Sequence, residues 1–429
     1  MTTNPFTFGN PVNDPAKFYG RKREIRQITD RLLSSAFEST SVVGERRIGK
    51  TSLLKYLANP RVAEELGLSP DEYVVVYVDF QGCVNITPVR FWSRILRRMA
   101  RRLADDELVS MSKEIGSREE IDQFDLEDLF FEIEDLGLKL VLLMDEFEYV
   151  TRNENFGLDF FAGLRALAIH FPLSLITATR EPLVELCHSA SIQGSPFFNI
   201  FASVILRPLK TEEIHALLEG TISGSEFRFT DSDLMKIKEL ADGHPIFLQM
   251  MGYYLFEGYQ MGLDGGSLYD HAIENFLQQA KPHYNYQWNH SKESEQIALL
   301  ALLALSRENT ISPSITDLEK AYPQASYVLP ELLKRGLILE KEENHYRLFS
   351  PLFSEWLMME VSVKGGEEYS SHAVQEWLET RGGIDTSIWN KIGGAFPMIK
   401  QKYWPLLADF AMNASAEVAG SFLARLGGL

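Results

Sequence analysis

Five short apolar runs punctuate the first half of the chain, at Ser39–Gly44, Tyr73–Phe80, Leu138–Asp145, Leu173–Thr179 and Ala202–Leu206. They are continuous rather than alternating in polarity, the pattern of strands covered on both faces. Stretches with helical spacing, such as Thr51–Leu57, Val89–Leu103 and Leu158–His170, lie between them. Strands alternating with helices predict βαβ units and a parallel sheet over 1–208. After Pro208 the strand signal stops. Thr211 ahead of Glu213 and Ile214, and the trio Thr230–Asp231–Ser232, look like helix N-caps, so 209–290 reads as a helical lid packed on the sheet domain.

A different order follows over 291–362. Helical spacing at Glu293–Leu305, Thr316–Ala321 and Tyr327–Arg335 ends at Gly336, and the apolar runs Leu337–Leu339 and Tyr346–Phe349 flank a polar turn at Glu342–Asn344. Three helices and a hairpin spell a winged helix. A glycine-bearing linker, Val363–Glu368, leads into the tail of 363–429, which holds Trp377, Trp389 and Trp404, half of the six tryptophans. That aromatic content argues for a small packed all-α unit.

Composition changes this picture only at its margins. The 429 residues are 45% apolar, which excludes wholesale disorder. Two cysteines, Cys83 and Cys187, argue for a reducing compartment. Met1–Asn10 is polar and has no apolar core, so no secretory leader is expected. The longest apolar stretches are far short of a bilayer span of about 20 residues. The expectation is a soluble, cytoplasmic protein without a membrane partner. Against 60 Asp+Glu stand 42 Lys+Arg, a formal charge of −18 that speaks against holding nucleic acid over the whole surface.

The sharpest chemical signal is Gly44-Glu45-Arg46-Arg47-Ile48-Gly49-Lys50-Thr51, followed by Ser52. It fits G-x-x-x-x-G-K-[ST] and has the required context, a strand before and a helix after. Gly44 and Gly49 free the backbone so that successive N–H groups can curl around phosphate oxygens. The helix that starts near Lys50 presents its positive dipole end to the same anion. Lys50 is expected to bridge the β and γ phosphates, and the Thr51 hydroxyl to ligate Mg²⁺. A second apolar strand ends in Asp145-Glu146. Asp145 is assigned to hold the metal through water and Glu146 to orient or deprotonate the attacking water. Glu148, close by, is given no catalytic role.

Together these residues resemble the STAND branch of the AAA+-related P-loop ATPases, and most of all its archaeal-type group with a Gly-His-Pro motif. The resemblance spans roughly residues 5–360. Phe18-Tyr19-Gly20-Arg21-Lys22-Arg23-Glu24 looks like the family's box before the first helix, which implies that Tyr19, Gly20 and Arg21 flank the adenine. Thr177 or Thr179 is similar to the polar sensor of AAA+ enzymes, and Thr179-Arg180 to the Thr-Arg pair of STAND proteins, implying that Arg180 contacts the terminal phosphate. Gly243-His244-Pro245 matches the family signature and implies that Pro245 lies against the nucleotide. No convincing arginine finger is found; Arg152 and Arg165 qualify by position only. What the resemblance implies is an ATP/ADP- and Mg²⁺-dependent switch with slow hydrolysis, a homo-oligomer in the ATP state and a separate effector or sensor protein.

A competing expectation is a DNA-associated, initiator- or remodelling-type ATPase. From Ser291 to Glu360 there are 7 Lys+Arg and 11 Asp+Glu, a net −4, so the predicted winged helix is poorly equipped for phosphate and reads as a protein-contact or autoinhibitory module. One basic face exists, Arg94, Arg97, Arg98, Arg101 and Arg102 at helical spacing. The expectation there is a solvated face paired with Asp105, Asp106, Glu107 and the acidic stretch Glu127–Asp135. A subunit interface or a contact with an acidic ligand is the sharper alternative.

Overall fold

The computed structural model describes residues 3–186, 197–308, 312–342 and 344–364. The tail beyond Lys364, with its three tryptophans, and Cys187 lie outside the described residues. Contacts divide the described residues into two compact units, one within 9–220 and one of residues 3–8 together with the described residues from 221 on.

In the unit of 9–220 the five apolar runs become β1 (Ser39–Gly44), β2 (Tyr73–Asp79), β3 (Lys139–Asp145), β4 (Leu173–Thr179) and β5 (Phe201–Leu206). All pair in parallel, in the order β2-β3-β4-β1-β5. Every residue of β1 and β4 is buried, as continuous apolar strands require when helices cover both faces. One face packs on Ile25, Ile28, Leu32, Leu53, Leu54 and Leu57. The other packs on an aromatic cluster that includes Phe91, Trp92, Phe130, Phe147, Phe161 and Phe197. Phe80 stacks on Phe91 with centroids 5.1 Å apart. The register sets the chemistry: Asp79 lies opposite Asp145, Met144 opposite Thr177 and Val43 opposite Thr179, so the polar strand ends gather at the carboxyl end of the sheet.

The helix expected over Val89–Leu103 runs from Pro88 to Met99. Thr87 caps it, with its hydroxyl accepting from the Arg90 N–H, and Pro88 sits at the first position, where its missing N–H costs nothing. Arg101 and Arg102 therefore fall in the turn beyond the helix. Thr211 is the first residue of its helix, Thr211–Ile222, rather than the cap.

In the second unit, Thr230 and Asp233 form a reciprocal capping box at the Asp231–Ala241 helix. Asp233 is fully buried and accepts hydrogen bonds from the hydroxyls of Thr230, Tyr259 and Tyr269 at 2.7, 2.8 and 3.0 Å. The Pro245–Gln260 helix is apolar on nearly every side and packs along Gly265–Asn289. Gly252 opens a slot for Phe6 of the N-terminal segment; a Cβ there would fall 2.5 Å from the ring. Helices Glu293–Glu308, Ile315–Ala321 and Ala325–Arg335 precede a two-stranded antiparallel hairpin, β6 (Ile338–Glu342) and β7 (His345–Leu348). Gly336, at φ +71, ends the last helix in the left-handed conformation that glycine tolerates. Arg335, half-buried, pairs with the buried Glu295 at 2.6 Å.

Candidate functional site

The loop between β1 and the Lys50–Leu57 helix is held by two kinds of backbone device. Gly49 takes φ +105 as the residue before the helix, and Arg47 takes φ +67. Gly44 has no unusual φ; its reason is space. A Cβ at Gly44 would stand 2.9 Å from Ile48 Cγ2, 3.0 Å from the Leu206 carbonyl oxygen and 3.1 Å from Leu206 Cβ. Ile48 is buried and anchors the loop from beneath, its N–H donating to the Glu45 carbonyl at 3.3 Å. The Arg46 N–H donates to the Glu45 carboxylate at 3.0 Å, and Arg47 Nη1 to the Gly9 carbonyl at 2.8 Å. Burial, then the charge of Arg46, lowers the pKa of Arg47. Ser52 Oγ accepts from the Val12 N–H at 3.1 Å.

Lys50 is buried and folds back on the loop, with Nζ donating to the Gly44 carbonyl at 2.8 Å and the Glu45 carbonyl at 3.3 Å. Burial lowers its pKa, and Glu148, Glu146, Glu45 and Asp145 oppose that shift. A cation surrounded by backbone amides and helix N-terminus is the electrostatic requirement for a polyphosphate.

Asp145 ends β3 and is buried. Burial raises its carboxyl pKa; hydrogen bonds from the Thr51 hydroxyl and from Tyr77 hold it down. Tyr77 Oη donates to Asp145 Oδ2 at 2.9 Å, and the Glu146 N–H donates to Oδ1 at 3.0 Å. Among the described residues no group of three or more His, Cys, Asp or Glu could hold a metal by itself. Mg²⁺ fits the oxygens present nonetheless. It keeps several waters and takes one or two protein oxygens beside substrate phosphates, and Thr51 and Asp145 are hard oxygen donors already in contact.

Glu146 stands at φ +51, a left-handed backbone for a non-glycine residue and a form of strain that concentrates at functional sites. Burial and then the charge of Glu148 raise its pKa, which moves it toward the range of a general base. Glu148 itself is buried and accepts from Arg180 Nε at 3.1 Å, while its Oε2 has no hydrogen-bond partner. Arg180 thus meets Glu148, and neighbouring Glu181 pairs with Arg152 at 2.6 Å. Thr179 Oγ1 donates to the Glu181 carbonyl at 2.8 Å, whereas the buried Thr177 hydroxyl has no partner.

The Tyr19-Gly20-Arg21 box braces this loop. Gly20 and Arg21 take φ +79 and +62. Arg21 is buried and donates to the carbonyls of Ile48 at 2.9 Å and Arg207 at 2.6 Å, while its N–H donates to Glu213 at 2.6 Å. Tyr19 lies against Gly220, where a Cβ would fall 2.2 Å from the ring. Pro245 occupies the first turn of its helix in the other unit. There His244 is buried, with Nε2 sharing a hydrogen bond with the Gly336 carbonyl at 2.8 Å and its ring 4.7 Å from that of Phe349.

The sequence reading gave Tyr77 and Glu148 no role, yet the structure places Tyr77 on Asp145 and Glu148 beside Arg180, Glu146 and Lys50. A tyrosine opposite an acidic strand end is a weak signal, and the contact crosses 68 residues of sequence.

A parallel sheet in this strand order, a glycine loop closed on a buried lysine and an acidic pair at the end of β3 define a P-loop NTPase. The profile of the family described as Novel STAND NTPase 2 matches residues 31–305, and the chain belongs to that family. No curated protein matches it. Among solved structures it is similar to a Walker-type ATPase of Pyrococcus abyssi, at TM-score 0.56 and 17% identity over 81% of this chain and 98% of that one. It is also similar to the ORC2 protein of Aeropyrum pernix in ADPNP–ADP complexes, at TM-score 0.52 and 15% identity over 84% and 98%. At such identities the likeness establishes the fold. No helix among the described residues is long and apolar enough to cross a membrane.

Proposed function

We propose that the protein is a nucleotide-controlled switch that binds ATP with Mg²⁺, hydrolyses it slowly and changes its association state with the nucleotide. The observation that carries this reading is the Gly44–Gly49 loop closed on the buried Lys50, with the Thr51 hydroxyl against Asp145 and Glu146 one residue on. The adenine nucleotides named for the ORC2 structure support ATP and ADP as the ligands here. In this account the N–H groups of Glu45 to Ser52 and Lys50 Nζ take the phosphates, Nζ exchanging the carbonyls it now holds for phosphate oxygens. Thr51 and Asp145 hold the metal, which when bound neutralises phosphate charge. Glu146 takes the proton of the attacking water. Arg180, released from Glu148, reports the terminal phosphate, with Thr179 or the unpartnered Thr177 beside it.

Tyr19, Gly20, Arg21 and Pro245 are assigned to the base side of the nucleotide. The Gly243-His244-Pro245 segment is read as the family motif, and 291–362 as a winged helix that contacts protein. The layout we propose is a sheet domain to 208, a helical lid over 209–290, this winged helix, and an α-helical tail from 363. A trigger must bind the open state more tightly than the closed one, or no population shifts. Homo-oligomerisation and engagement of a separate effector or sensor protein are the proposed outputs.

The test is solution mass with ADP against ATP plus Glu146→Gln, which should bind nucleotide, stop hydrolysis and enrich an oligomer. Lys50→Ala should abolish binding in calorimetry. Equal mass in both states rejects the switch, and hydrolysis by Glu146→Gln at the parental rate rejects its assigned role.

A further inference from the structure

The Pro88–Met99 helix and the turn after it form an open groove lined by Arg90, Ser93, Arg94, Arg97, Arg98 and Arg101. Five guanidinium groups thus converge in a chain whose formal charge is −18. The acids that follow in sequence do not answer them. Asp105 caps the next helix by accepting from the N–H groups of Glu107 and Leu108, and Asp125 pairs with Arg118. Among the described residues none of the five has a carboxylate at ion-pair distance. The expected pairing with Asp105, Asp106, Glu107 and the Glu127–Asp135 stretch is not found among the described residues, and Asp105 is taken up by its cap.

The groups crowd one another. Arg98 is half-buried and donates to the Tyr77 carbonyl at 2.7 Å, a neutral acceptor that leaves its charge unmatched apart from the through-space pull of Tyr77 and Asp79. Burial, then Arg94, with Arg101 adding to it, lowers the Arg98 pKa. Arg94 Nε is buried with no hydrogen-bond partner. From Arg90 to Arg98 the array extends roughly 12 Å along the helix at 1.5 Å per residue. Held guanidinium forks with free donors match phosphate oxygens.

We propose that this groove docks a nucleic-acid backbone. Its lining decides between phosphate and an acidic protein. Protein interfaces rest on a buried apolar centre, and the groove presents no apolar side chain to bury. Phosphodiesters need none, because displaced counterions supply the driving force. The acidic remainder of the surface repels the same backbone and confines it to the groove. This docking is independent of the nucleotide switch and is measured without ATP.

The test is fluorescence anisotropy of the full chain with short labelled single-stranded and duplex DNA of mixed sequence. Binding is expected at about 50 mM salt, weakening about a hundredfold by about 200 mM for three to four neutralised phosphates. Arg94→Glu/Arg97→Glu/Arg101→Glu should remove it, and the milder triple Gln variant should lower the log–log salt slope by about three. Both variants should keep ATP binding, which shows that they fold. Absence of binding at about 50 mM salt, or equal binding by the variants, overturns the proposal. Self-association at low salt that the variants abolish, without DNA binding by the parent, also overturns it and assigns the groove to the acidic surface of a second copy.

Discussion

Tyr77→Phe removes one oxygen and leaves the ring in place, so it isolates the bond from Tyr77 Oη to Asp145 Oδ2 at 2.9 Å. A hydrogen bond to a charged group contributes about 1.5–3 kcal/mol. Tyr77 is only half-buried and water can partly replace it, so the lower figure, about 1.5 kcal/mol, applies; that is about tenfold in an equilibrium constant. The sign follows from Asp145. Burial already raises its pKa, and Tyr77 is one of two hydroxyls that hold it down. Without Tyr77 the carboxyl titrates higher still, and a protonated Asp145 cannot serve a cation. The Mg²⁺ needed for half-maximal hydrolysis should rise about tenfold, and the acid limb of the rate profile should move to higher pH. Tyr73→Phe, on the same strand, removes a hydroxyl that meets Lys139 at 3.4 Å instead, and should change neither. If Tyr77→Phe keeps the parental Mg²⁺ dependence and acid limb, Asp145 is not the metal-side carboxylate.

Glu148→Gln should move the acid limb the other way. The Glu148 charge helps to raise the Glu146 pKa, so neutralising it lets Glu146 ionise at lower pH; the rate profile of hydrolysis reads this directly. Losing the charged partner of Arg180 should also cost about 1–3 kcal/mol in urea unfolding. Gly44→Ala should cost about 1–3 kcal/mol by overpacking, because the Leu206 carbonyl oxygen 3.0 Å from the new methyl is backbone and cannot turn aside. An unchanged urea midpoint would remove the packing reason for that glycine.

How far sequence carried the reading depended on the range of the interaction. The central strands β1, β3 and β4 were legible because burial on both faces writes itself as an unbroken apolar run, and β1 and β4 match their expected ends. The edge strands β2 and β5 were legible from apolar content although part of each is not buried. The loop was legible because glycine, lysine and threonine act within eight consecutive residues. Contacts that join distant segments left no such trace. Arg21 could be placed near the nucleotide by resemblance, but its hold on Ile48 and Arg207 spans 27 and 186 residues. Glu148 looked like one acid among three until the fold set Arg180 against it. The arginine face was visible, whereas the engagement of Asp105 as a helix cap was not, since caps are decided by geometry.

The contact of His244 with Gly336 has a mechanical side. Phe247, three residues further on, stacks on Phe349 with ring planes 10° apart, so one helix turn is fastened both to the close of a helix and to the end of a hairpin. Any displacement of the hairpin that keeps these fastenings carries the start of the Pro245 helix along as a lever carries its pivot arm. Both fastenings thus bear on the same helical turn, the one that Pro245 opens.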